Sequence, residues 1–169
     1  LSSPLTWEDI GRWYGGLALD RYALPPDLAA RVRTMVSGAR SARDTAAIIQ
    51  RWVAQDIRYV SIALGIGGYQ PRIPAEVVTS GFGDCKDKAT LFVAALRSLG
   101  FEAVTVLASS SGGVDRALPS MEQFDHAIAY VSLPEGRVYT DLTVALLPLG
   151  LLPPALQQAW EDIGVIVLQ

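Results

Sequence analysis

The sequence predicts an α+β domain in which helices come first and an antiparallel sheet follows. Apolar residues recur at helical spacing through most of the first hundred residues. The remaining chain consists mainly of short apolar and β-branched runs separated by turn residues, which is typical of strands. A run of helices followed by a run of strands favours the α+β class. The chain has 169 residues, so we expect residues 1–169 to form a single domain with one core.

The first half is predicted to hold three helices, a short strand and a loop. Aromatic and apolar side chains recur every three or four residues from Trp7 to Leu17, and again after the Pro25–Pro26 pair. Ser41 or Asp44 can cap the third helix, because their side-chain oxygens accept hydrogen bonds from free N–H groups at a helix start. We expect a strand over residues 57–63 and a Gly/Pro-rich loop over residues 64–74.

The second half is predicted to begin with a helix over residues 85–99 that ends at Gly100. A nearly continuous apolar run over residues 101–108 favours a central strand. The turn residues Pro134 and Gly136 separate the next two predicted strands. The expected strands are therefore residues 101–108, 124–132, 137–143 and 164–169.

Charge and composition exclude several classes of function. The net charge is −3, and the sequence lacks the basic excess of a nucleic-acid-binding protein, so we expect no nucleic-acid partner. There is one cysteine and one histidine, which excludes an intrachain disulfide and a metal centre built from Cys or His. Each of Trp7, Trp13 and Trp52 is expected in the helical core, whereas Lys86 and Lys88 are expected in solvent.

The longest uncharged run covers residues 142–160 and is nominally long enough to span a bilayer. It contains Pro148, Pro153 and Pro154, which would break helical hydrogen bonds in a medium without water. We therefore expect no transmembrane segment here, but a loop and short helix packed on the domain or a docking surface for another domain. Because the chain starts at Leu1 and not at Met, we expect it to be a piece of a longer protein or a processed product.

Cys85 stands at the first turn of the predicted helix over residues 85–99. Asp84 can act as the N-cap, and the positive field at the helix start favours a thiolate at Cys85. The backbone N–H of Cys85 is also the natural first donor to an oxyanion formed by attack of the thiol. One helical stripe carries the sulfur together with the apolar residues expected to face the sheet: Cys85, Ala89, Phe92, Leu96 and Leu99.

His126 and Asp141 can activate such a thiol if they share one face of a hairpin. An imidazole takes the thiol proton and later protonates the leaving group, while a carboxylate fixes the tautomer of the ring. One register places His126 directly opposite Asp141, with residues 131–136 as the connecting loop. A tight turn at Glu135–Gly136 would instead displace the two by four residues along the strand, and both registers stay open.

Three separated motifs resemble the transglutaminase-like core domain of bacterial proteins: GDCKDKA at residues 83–89, FDHA at 124–127 and YTDLT at 139–143. The upstream segments RYV at 58–60 and GYQP at 68–71 are similar to the same group. The resemblance covers roughly residues 44–143. Asp125 and Leu142 depart from the pattern, since the family often has Asn and Pro there, and alternation would place Asp125 on the opposite strand face from His126.

The resemblance implies a papain-like fold with Cys85 as nucleophile, His126 as base and Asp141 as the residue that orients the base. It implies acyl transfer at a peptide or glutamine side-chain amide through a thioester, with no metal or organic cofactor. The expected partners are a peptide or protein substrate and other domains of the same chain. The expected location is the bacterial periplasm or cell envelope, with the cytoplasm as an alternative.

Two questions stay open from the sequence. The second oxyanion donor could be Gln70 or Tyr69, which precede the nucleophile helix in the chain. The alternative to an enzyme is a catalytically silent papain-like binding module that docks through the apolar segment over residues 146–156.

Overall fold

A computed structural model describes residues 5–61, 65–111, 113–159 and 166–167. The helices are α1 (Trp7–Ala18), α2 (Pro26–Met35), α3 (Ala42–Arg51), α4 (Pro74–Ser80), α5 (Cys85–Arg97) and α6 (Pro154–Ala159). The strands are β1 (Arg58–Tyr59), β2 (Phe82–Gly83), β3 (Ala103–Ala108), β4 (His126–Leu133), β5 (Gly136–Thr140) and β6 (Ile166–Val167). The α+β class predicted from the sequence is confirmed.

Local capping chemistry fixes where the first helices start. The Thr6 hydroxyl accepts from the backbone N–H of Asp9 at 3.1 Å, and the Asp9 carboxylate accepts from the Thr6 N–H at 3.0 Å, which completes a capping box before α1. Ser41 caps α3, because its hydroxyl accepts from the N–H of Asp44 at 3.0 Å. Of the two caps considered for the third helix, Ser41 is therefore the residue used.

A fourth helix, α4, was not expected from the sequence. Pro74 occupies its first turn, where a missing N–H costs nothing, and Gly81 ends it with φ +70°. Directly after it, β2 pairs in parallel with β1, which ends at Tyr59 and so is shorter than the strand predicted over residues 57–63, of which residues 62–63 lie outside the described residues. These two short strands place the chain for the turn into α5.

The main sheet has the strand order β5-β4-β3-β6, and all its neighbours are antiparallel. The central strand β3 is buried at every position, as its apolar sequence predicts. The last predicted strand is described only at Ile166–Val167, and the rest of that prediction lies outside the described residues.

The nucleophile helix α5 lies in the middle of the core, with residues 86–96 all buried. Phe92 and Leu96 pack into a cluster with Val131 of β4 and residues of α2 and α3. Trp52 is buried in the same cluster as predicted, but Trp13 is 44% exposed, so its assignment to the core is wrong. The ring of Trp13 instead packs edge-on against Tyr69 at the surface.

The expectation that two lysines of α5 lie in solvent is also wrong. Lys86 is buried because its ammonium group pairs with the carboxylate of Asp84. Lys88 is 1% exposed, and its Nζ donates to the carbonyls of Ala54 at 3.1 Å and Ile57 at 2.6 Å. Those carbonyls belong to a π-helical turn and the residue that follows it, where ordinary helical donors are missing. Fixed oxygen partners therefore reduce the cost of burying both cations.

The apolar run over residues 142–160 packs only in part over residues 142–157, whose burial the structure describes. Leu149, Leu152 and Leu156 are buried, whereas Leu146 is 85% and Leu151 is 51% exposed. The segment is irregular until α6 begins at Pro154. Within the described part of the chain, no helix is long and apolar enough to cross a bilayer.

Candidate active site

Cys85 is the first residue of α5 and is held there by a second capping box. The Asp84 carboxylate accepts from the N–H of Asp87 at 3.1 Å, and the Asp87 carboxylate accepts from the Asp84 N–H at 3.3 Å. The side chain of Cys85 is partly exposed and lines a cavity of about 130 Å³. The thiol is therefore reachable by a ligand and stands at the positive end of the helix.

The turn into α5 is clamped by Arg72, whose role nothing in the sequence had indicated. Its backbone N–H and its Nε donate to the two carboxylate oxygens of Asp87 at 2.8 and 2.9 Å, and its guanidinium also donates to the carbonyl of Phe82. A Cβ on Gly83 would lie 2.8 Å from the Cβ of Asp87, so only glycine fits beside the helix. These contacts fix the backbone at the start of α5 and therefore the position of Cys85.

His126 and Asp141 meet through a register different from both considered from the sequence. Leu133 pairs with Gly136, and Ala129 pairs with Thr140, so the connecting turn is only residues 134–135. Gly136 adopts φ +121° and pairs as the first residue of β5, so the turn is shorter than the loop of residues 131–136 considered from the sequence. His126 and Asp141 are consequently diagonal neighbours on one face, and the His126 Nε2 lies 2.9 Å from the Asp141 Oδ2.

Thr143 holds the other oxygen of the Asp141 carboxylate. Its backbone N–H and its hydroxyl both donate to Asp141 Oδ1, at 2.8 and 2.7 Å. Burial raises the pKa of Asp141, but the bonds and charge from His126 and the bonds from Thr143 outweigh it and lower the pKa. The carboxylate therefore stays ionised and has each oxygen fixed by a partner.

The ring of His126 contacts the Asp141 carboxylate and lines the same cavity as Cys85. Burial lowers its pKa, yet the hydrogen bonds to Asp141 and to the thiol of Cys85, together with their charges, raise the pKa to about 10. Since Nε2 faces Asp141, the nitrogen left for Cys85 is Nδ1. The thiol and the imidazole therefore border one cavity, and the carboxylate lies against the Nε2 side of the imidazole.

The other predicted site residues are divided between two cavities. Tyr69 lines the same cavity as Cys85 and His126, whereas Gln70 lines a neighbouring one and donates its amide to the carbonyl of Leu17 at 3.2 Å. Asp125 precedes β4 and lines the Cys85 cavity as well, although alternation had placed it on the opposite face.

Comparison with known proteins identifies the family of the chain. The family model of the Transglutaminase-like superfamily matches residues 29–140, well over half of the sequence. The chain belongs to the transglutaminase-like superfamily. No curated protein matches its sequence.

Solved structures share the fold of this superfamily member at low sequence identity. A candidate protease from Parabacteroides distasonis has a TM-score of 0.65 and 14% identity over 82% of this chain and 27% of its own. A candidate cysteine protease from Cytophaga hutchinsonii has a TM-score of 0.56 and 19% identity, covering 77% and 42% of the respective chains. A structure described as a TGase has a TM-score of 0.50 and 19% identity, covering 85% and 34%. The chain thus spans less than half the length of each of these proteins.

Proposed function

We propose that this domain transfers acyl groups through a thioester on Cys85, starting from a peptide bond or a glutamine side-chain amide. The observation that carries the proposal is the His126 ring, which lines the same cavity as Cys85 and lies 2.9 Å from the Asp141 carboxylate. Membership of the transglutaminase-like superfamily supports the same chemistry.

The proton positions follow from the acceptor-only carboxylate. Because ionised Asp141 can only accept, the Nε2 of His126 carries a proton, and the pKa of about 10 means that Nδ1 is also protonated at neutral pH, with a proton that we assign to transfer from Cys85. The thiolate then forms a C–S bond to the amide carbon, and the C–N bond breaks as the imidazolium protonates the leaving nitrogen. In the second half, His126 takes a proton from water or an amine, which attacks the thioester and releases the acyl group.

The test measures amide hydrolysis and amine incorporation with a glutamine-containing peptide. Cys85→Ala and His126→Ala are each expected to abolish both activities, because no second thiol and no second imidazole lines the described cavity. Ser37→Ala, at an exposed position beyond the end of α2, serves as the matched control and should match the wild type. Unchanged activity in either site variant would refute the proposed function.

A second candidate function is a binding module that keeps the fold without turnover. Exposed apolar side chains between β5 and α6 favour it, namely Val144, Leu146 and Leu151. Alkylation separates the two candidates: an activated Cys85 reacts with iodoacetamide at about pH 6 much faster than an ordinary thiol does. A rate equal to that of a free thiol would favour the binding module.

A further inference from the structure

We propose that Tyr14 is a catalytic residue whose hydroxyl, with the backbone N–H of Cys85, binds the oxygen that becomes negative when the thiol attacks a carbonyl. This inference rests on the proposed function and names the second oxyanion donor, for which the sequence had suggested Gln70 or Tyr69.

Tyr14 has a buried donor with nothing to bind. It lies on α1 and lines the cavity that Cys85 and His126 also line. Its side chain is 1% exposed, and its hydroxyl oxygen has no hydrogen-bond partner among the described residues. A buried hydroxyl left unpaired costs about 1–3 kcal/mol, and most such groups in proteins are paired. A substrate oxygen in this cavity would supply the missing acceptor.

The start of α5 contributes a second free donor to the same cavity. The N–H of Asp87 donates to the Asp84 carboxylate, and the N–H of Lys88 donates to the Asp84 carbonyl at 3.0 Å. The N–H of Cys85 has no acceptor in the part of the chain that the structure describes. Two unpaired donors and the candidate nucleophile therefore border one cavity, as an oxyanion site requires.

The two residues named from the sequence are less suited to this role. Gln70 already donates its amide to the Leu17 carbonyl and lines another cavity. Tyr69 does line the Cys85 cavity, but it is 42% exposed and packs against Trp13 at the surface. A donor shielded from water stabilises a developing charge more than one that water can replace, which favours Tyr14.

The phenol of Tyr14 donates a hydrogen bond but does not transfer its proton. Burial raises its pKa, so the hydroxyl stays protonated at neutral pH. When the Cys85 sulfur forms the C–S bond, the carbonyl π electrons move to the oxygen, which accepts from Tyr14. The electron pair on the oxygen re-forms the C=O double bond as the leaving group departs, and the leaving group takes its proton from His126.

The experiment compares two reactions of Cys85 in Tyr14→Phe. Acylation by p-nitrophenyl acetate, followed as the burst of p-nitrophenolate, passes through an oxyanion. Alkylation by iodoacetamide occurs at a saturated carbon and forms none. We expect Tyr14→Phe to slow acylation by about 100-fold, the usual effect of losing one oxyanion donor, and to leave alkylation unchanged.

Tyr130→Phe is the matched control. Tyr130 is also a fully buried tyrosine with an unpaired hydroxyl, but it does not border the described Cys85 cavity. It should leave both reactions unchanged. Tyr14→Phe should unfold in urea at no lower concentration than the wild type, because the hydroxyl that it removes has no partner to lose.

Each other outcome contradicts a specific statement. Wild-type acylation in Tyr14→Phe would overturn the role of Tyr14 and leave the proposed function standing. An equal slowing of acylation and alkylation would mean that Tyr14 only packs against the thiol. No acylation of the wild type, or equal acylation of Cys85→Ala, would overturn the proposed function itself.

Discussion

Replacing Asp141 by Asn should disable the site through the tautomer of His126, although the two side chains have nearly the same shape. In the wild type, Thr143 donates twice to Asp141 Oδ1, and His126 lies against Oδ2. An amide in this position would turn its oxygen toward the two donors of Thr143. Its NH₂ group would then face His126 Nε2.

A donor opposite Nε2 forces that nitrogen to accept, so the ring proton moves to Nδ1, the nitrogen that we propose takes the thiol proton. The base can then no longer take the thiol proton. In a catalytic triad this error lowers kcat about 10⁴-fold, equivalent to roughly 5 kcal/mol of activation free energy. We expect a loss of this size for Asp141→Asn in the burst assay, and a smaller loss for Asp141→Ala, which imposes no wrong tautomer.

Nitrogen NMR of the imidazole checks the cause directly. The wild type should carry its single exchangeable proton on Nε2 after the ring is neutralised at high pH, whereas Asp141→Asn should carry it on Nδ1. The pKa of His126 should also fall in the variant, since the hydrogen bond and charge of Asp141 are among the causes that raise it to about 10. Wild-type kcat in Asp141→Asn, or a proton still on Nε2, would refute the reasoning.

The same pair gives a pH dependence of stability. His126 has an ordinary pKa of 6.5 and a folded pKa of about 10, so its contribution is complete below pH 6.5 and is lost as the pH rises through 10. Asp141 has a lowered folded pKa, so its contribution is present above its ordinary value of 3.8. The stability difference between wild type and Asp141→Asn should therefore be largest between these two ordinary pKa values.

Three further predictions concern the surroundings of the site. Gly83→Ala should lower the free energy of unfolding in urea by about 1–3 kcal/mol, because the new Cβ would lie 2.8 Å from the Cβ of Asp87. Gly16→Ala is the control: a Cβ at Gly16 meets nothing within 4 Å, so this variant should not be destabilised. Burial lowers the pKa of Lys88 to about 8, so wild type should gain stability relative to Lys88→Met as the pH rises from about 8 to 10.5. Thr143→Val should lower kcat about tenfold with KM unchanged, as expected for one hydrogen bond to a charged group.

Each of these has a clear contrary result. Equal urea midpoints for Gly83→Ala and Gly16→Ala would contradict the close approach at β2. A flat stability difference for Lys88→Met over that pH range would show that the ammonium is not held in a costly environment. A rise in KM alone for Thr143→Val would mean that Thr143 contacts substrate and does not position the carboxylate.

The sequence predicted those parts of the structure whose signals are local. Cys85 follows an acidic cap, and this places it at a helix start without any tertiary information. His126 and Asp141 were expected on one hairpin. Because side chains alternate along a strand, the two stay on the same face when the strand register shifts by two residues. Both registers drawn from the sequence were wrong, because Gly136 joins the strand and its conformation was not evident from residue type alone.

Features set by contacts distant in the chain could not be predicted. The pairing of β1 with β2 joins two-residue segments, of which only β1 lies within a strand predicted from the sequence. Lys88 is buried because carbonyls of a π-helical turn more than thirty residues earlier accept its protons. Tyr14 looked like one more apolar position of an amphipathic helix, and only the fold brings it to the cavity of Cys85.

Mass spectrometry of an acyl-enzyme tests the central claim most directly. The wild-type protein, mixed with a glutamine-containing peptide and quenched in acid, should carry the peptide acyl group on Cys85 with loss of ammonia, and hydroxylamine should remove it as a thioester. His126→Ala should carry none. An unlabelled Cys85 during turnover, or a label that forms equally fast without the imidazole, would contradict the account.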